Sequence, residues 1–179
     1  MMCLNNIKSV PLFLLMLAAA AVPARTSAGE QPYSCSFTSG TITLDGRPDE
    51  SAWMAAGTLS FLVPPDAAAP QSPTTGRLLW NHDTLFAAFE ARDRDLQATL
   101  TRRDAPTFQN DCLEFFFRPK DQPEIYYNFE INALGTIYDA ANREGVRWGR
   151  AAAWNSIGIV AAVHLDGTLN DSSDTDSGW

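Results

Sequence analysis

The chain has 179 residues, 45% of them hydrophobic, and carries 13 lysines and arginines against 21 acids for a formal net charge of −8. That is enough chain for one domain with a sizeable core. The acidic balance repels phosphate backbones and excludes nucleic acid as a partner, while suiting neutral ligands or cations.

At the N-terminus, Lys8 precedes an apolar run from Val10 to Val22 that gives way to small residues. This is the pattern of a secretory signal peptide cleaved after Ala24 or Ala28. The run is shorter than the roughly 18 apolar residues of a spanning helix, so no membrane span is expected in the mature chain. No cysteine closely follows the run, so a soluble exported protein, secreted or periplasmic, is expected. Removing residues 1–28 takes away Lys8 and Arg25 and no acid, moving the net charge from −8 to −10. Residues 29–39 read as a flexible lead-in, and 40–179 as the folded domain. Cys35 and Cys112 remain in the mature chain. In an oxidising compartment they either form a disulfide, tying the N-terminal segment to the sheet, or stay as two thiols.

Thr41–Leu44 reads as a short strand, and Pro48, early acids and Gly57 frame one or two helical turns around Trp53. Trp53 is expected to be a core plug. Thr58–Val63 is a further strand, and the Pro/Ala-rich piece 64–73 a loop. Residues 76–81 and 84–92 form a hairpin across His82-Asp83. Residues 92–107 are charged and irregular, broken at Pro106.

Two strands then follow, joined by a Pro-bounded turn. Leu113, Phe115 and Phe117 oppose Cys112, Glu114, Phe116 and Arg118; in the next strand Tyr127, Phe129 and Ile131 oppose Tyr126, Asn128, Glu130 and Asn132. Period two marks half-buried antiparallel strands. The second face mixes carboxylates, amides and rings, an unusual load for a merely solvated surface. Ile157–Leu165 is one more strand, before an Asp/Ser-rich tail that ends at Trp179. Strands at this spacing indicate an all-β fold, an antiparallel β-sandwich.

Several pieces resemble one family. They are Leu44-Asp-Gly-Arg-Pro-Asp49 with Trp53; the run from Leu79 to Phe89 with Asp93 and Asp95; Asp111-Cys-Leu-Glu114-Phe-Phe-Phe; and Asn128-Phe-Glu-Ile-Asn132 with Gly135 and Asp139. Together they resemble the family 9-like carbohydrate-binding modules, relatives of the haem- and sugar-binding DOMON domains. In that family the acidic tail loop leads through a Gly-aromatic pair, like Gly178-Trp179, into further strands. The resemblance therefore implies a module that stops before its final strands.

The resemblance also implies a function: non-catalytic binding of neutral plant-type oligosaccharides or polysaccharide ends, xylan or glucan, in support of carbohydrate catabolism. Family members clamp a terminal sugar between two tryptophans. One platform aligns with Phe108 and the binding carboxylate with Glu114. Glu130 stands where the family has an arginine, and the second platform would lie beyond Trp179. Glu114 has a second role open to it, as a strand carboxylate paired with Arg118. Asn128 is an amide on the same face, and Trp148 and Trp154, near three arginines, are alternative platforms.

Other chemistries have weaker footing. Asp166, Asn170, Asp171, Asp174 and Asp176 are oxygen ligands suited to a structural Ca²⁺, but not at the spacing of an EF-hand loop. A haem-binding, electron-transfer domain would need axial ligands from His82, His164 or Met54, and both histidines read as surface residues. No region carries the paired carboxyl groups of a catalytic glycosidase domain, leaving at most an accessory module of a glycoside hydrolase. No cofactor is expected, and oligomeric state is not legible.

Overall fold

The computed structural model describes residues 33–61, 69–145 and 154–179. The expected signal peptide, Trp148, Arg147 and Arg150 lie outside these. Seven strands form two sheets, and among the described residues there is no α-helix, only two short 3₁₀ turns. Nor is any described helix long and apolar enough to cross a membrane.

In the first sheet β3 (Thr74–Trp80) is central. It pairs along its whole length with antiparallel β4 (Leu85–Ala91). The short β1 (Ser36–Phe37) and β2 (Leu59–Ser60) share its other side, β1 parallel and β2 antiparallel. The expected hairpin forms. The Asn81 side chain accepts from the amides of Asp83 and Thr84 at 3.0 and 2.8 Å, fixing the turn with its own carboxamide.

Trp53, in the 3₁₀ turn Ser51–Ala55, is 5% exposed and packs with Leu79, Ile42, Phe86 and Ala88. It is the plug the sequence implies, held by an Nε1 hydrogen bond to Glu50 at 2.9 Å.

The second sheet is a meander, β5 (Cys112–Phe117), β6 (Ile125–Asn132) and β7 (Ile137–Arg143). One of its faces meets the first sheet. Phe115 stacks on Phe129 at 4.9 Å and lies 6.2 Å from Phe89 of β4. Leu113, Phe115 and Ile131 line a cavity of about 460 Å³ together with β4 and residues 158–164.

Two expectations are corrected. Thr41–Leu44 joins no ladder; Ile42 packs beside Trp53 and the Thr43 amide donates to Glu50 instead. Ile157–Leu165 is apolar enough for a strand, yet has no ladder partner among the described residues and lines the cavity. Of the two states left open for Cys35 and Cys112, the structure has the thiols: neither forms a disulfide among the described residues. Cys35 precedes β1 in the first sheet, whereas Cys112 opens β5 on the face of the second sheet that points away from it.

The cavity's far wall depends on one glycine. Gly46 has φ +85°, and a Cβ there would collide with the backbone of Val163 and His164. Beside it, Arg47 hydrogen-bonds the His164 ring at 2.6 Å. Gly46→Ala is expected to cost roughly 2 kcal/mol, lowering the melting temperature by about 4–8 °C. A differential scanning measurement checks it.

Candidate functional site

The register of the second sheet sets out its outward face row by row. Cys112 lies opposite Asn132; Glu114 opposite Glu130, which faces Tyr138; Phe116 opposite Asn128, which faces Ala140; and Tyr126 opposite Asn142. Directly opposed residues share a face. This outward face is apolar at its rims and polar at its floor.

The floor is the more buried side of β6. Asn128, Glu130 and Asn132 are buried, while Tyr127, Phe129 and Ile131 on the inward face are only half-buried. The cause is the irregular segment 92–111, which folds over this end of the sheet. Asn132 anchors it, donating to the Leu100 carbonyl at 2.8 Å and to Asn110 Oδ1 at 3.0 Å. Its own Oδ1 accepts from Leu134 and Thr136 and so closes the β6–β7 turn. Asn110 Oδ1 also accepts from the amides of Thr99 and Leu100. Thr107, fully buried, donates to Glu130 at 2.7 Å. These bonds place the second 3₁₀ turn, Thr107–Gln109, against β6 with Phe108 67% exposed.

The charges around the Glu114–Glu130 row are acidic. Glu114, exposed at the mouth, has its carboxyl pushed up by burial and by the Glu130 charge opposite, partly offset by a hydrogen bond from Asn128. Burial first, then Glu130, Glu114 and Asp111, push the Cys112 thiol up to about 11. The Tyr138 hydroxyl is raised by burial, then by Glu130, Asp104 and Glu114. Arg118 does not pair with Glu114. Its guanidinium lies 3.5 Å from Glu144 and 5.7 Å from the centre of the Tyr126 ring.

Polar groups on and beside this face are left unspent. Asn128 Oδ1, Asn142 Nδ2 and Asp104 Oδ1 are buried without a hydrogen-bond partner among the described residues. Asn128 is fully buried, and its amide nitrogen reaches Glu130 at 3.4 Å. Buried polar atoms are ordinarily satisfied, and here an acceptor, Asn128 Oδ1, and a donor, Asn142 Nδ2, are left without partners on one face.

Of the residues singled out from sequence, Glu114 and Asn128 share this face, and Phe108 stands at its margin. Trp154 does not join them. It packs on Tyr127 at 4.9 Å and on Phe129 at 6.4 Å, on the inward side of β6. Phe116 and Tyr126, 6.0 Å apart, belong to the face instead. The alternation of apolar and polar residues had already put both rings there. Asn142 and Asp104 were missed, because one requires the β7 register and the other the docking of a distant loop.

Residues 69–173, more than half the chain, match the model of carbohydrate-binding family 9. The chain belongs to that family. No match was found among curated proteins or solved structures.

The family 9 module carries its acidic tail as structure. Asp176, 5% exposed, accepts from the amides of Leu96 and Thr168, and Asn170 bonds Ala98 through both ends of its amide. Two of the oxygen ligands considered for calcium are therefore engaged by backbone. Among the described residues no group of three or more His, Cys, Asp or Glu converges as a metal site. His82 is exposed, edge-on to Phe37; His164 bonds Arg47; and Met54 is 88% exposed.

Proposed function

We propose that the outward face of the second sheet binds the end of a gluco- or xylo-configured oligosaccharide, of the kind released from xylan or glucan. The module, residues 40–179, would serve carbohydrate catabolism in a protein exported after loss of residues 1–28. The observation that carries the reading is the open acceptor and donor, Asn128 Oδ1 and Asn142 Nδ2, on a face rimmed by aromatic rings. Sugar hydroxyls both donate and accept, so a saccharide offers partners to an open acceptor and an open donor alike. The CH face of a pyranose stacks on an aromatic ring, and Phe108 offers one. Glu114 at the mouth accepts from a further hydroxyl. Trp148 remains a second platform within this proposal.

Titration calorimetry with xylo- and gluco-oligosaccharides tests it. Phe108→Ala, at an exposed position, is expected to leave the fold intact and weaken binding about tenfold, or 1.4 kcal/mol. Absence of heat with every saccharide would sink the proposal.

A further inference from the structure

We infer that this face selects saccharides bearing a protonated amine, such as chains of 2-amino-2-deoxyglucose, over neutral chains of the same shape. The inference rests on the sugar-binding reading above and names the ligand class within it. Glu114 and Glu130 are directly opposed in the β5–β6 register, on the same face. Like charges so placed destabilise a sheet. Nothing cationic among the described residues is seen to relieve them. Arg118, at the far end of β5, is held by Glu144 and Tyr126, and Arg103 is bound to Asp139 and Asn155. Glu130 receives only neutral donors, the Thr107 hydroxyl and the Asn128 amide.

The second observation is independent of the carboxylates. Asn128, fully buried in the row next to the pair, hydrogen-bonds to Glu130 and still leaves Oδ1 without a partner among the described residues. Beside the pair the group left open is thus an acceptor, Asn128 Oδ1, next to the exposed Glu114 carboxylate. An ammonium group offers three donors and a positive charge, and no acceptor that would need a donor in return. Replacing a ring hydroxyl by ammonium keeps the shape that stacks on Phe108 and adds charge-assisted hydrogen bonds to the carboxylates.

The experiment compares glucosamine trimer with cellotriose by calorimetry at about pH 6. Glucosamine trimer is expected to bind at least tenfold more tightly. Glu130→Gln should bring that ratio close to one while cellotriose binding persists. If that variant does not fold, Glu114→Gln, at an exposed position, should weaken glucosamine trimer by more than it weakens cellotriose and so lower the ratio. Asp121→Asn, in the exposed β5–β6 turn, should leave the ratio unchanged. Equal or weaker binding of the amino sugar would overturn the inference while leaving the sugar-binding reading intact. A spermidine affinity matching that of glucosamine trimer would also overturn it, in favour of general attraction of cations to an acidic protein. No heat with either sugar would defeat both readings.

Discussion

Replacing Asp139 with alanine is expected to destabilise the module by about 2–3 kcal/mol, shifting the urea midpoint down by about 1 M with little change in slope. Asp139 is completely buried on the inward side of β7. One oxygen accepts from Arg103 at 2.6 Å and the other from the Ser156 amide. Arg103 in turn holds Asn155 at 2.7 Å, so one carboxylate joins the 99–106 loop, the sheet and the 154–156 segment. Losing one partner of a fully buried ion pair costs about 3–5 kcal/mol. The Arg103 side chain is 40% exposed and reaches water when abandoned, which sets the lower figure. Asp139→Asn keeps the shape and one acceptor and should fall between wild type and alanine. A midpoint unchanged by Asp139→Ala would show that the three segments hold together without it.

Asn132→Ala should be as severe for a different reason, costing about 2–4 kcal/mol, and should weaken saccharide binding as well. Its side chain makes four hydrogen bonds while fully buried, two within the β6–β7 turn and two to the loop that carries Phe108. Each buried partner left alone costs about 1–3 kcal/mol, discounted where the turn relaxes to water. Asn132→Asp separates the two functions. It keeps the oxygen that closes the turn but puts a charge against the Leu100 carbonyl and Asn110 Oδ1. It should therefore retain the turn, release the loop and lose affinity in the same calorimetric assay used for Phe108→Ala. Stability unchanged in both variants would show that the 92–111 segment is anchored elsewhere.

The sequence by itself determined two of the three strands of the second sheet, β5 and β6, and the composition of their two faces, but not β7. Side chains alternate with period two, so Glu114, Phe116, Tyr126, Asn128, Glu130 and Asn132 had to share a side once residues 112–117 and 125–132 paired. The hairpin at Asn81–Thr84 and the turn from Asn132 through Gly135, at φ +78°, were also local matters of carboxamide hydrogen bonding and positive φ. Tertiary structure decided the rest, because each remaining question turns on contacts between residues far apart in the chain. Alternation cannot tell which face a distant loop will cover, and here the 92–111 segment buries the polar one. Nor can it choose Glu130 over Arg118 as the neighbour of Glu114, since that follows from the β5–β6 register. The apolar runs at 41–44 and 157–165 have strand-forming residues but no paired edge among the described residues, and pairing rather than propensity makes a strand.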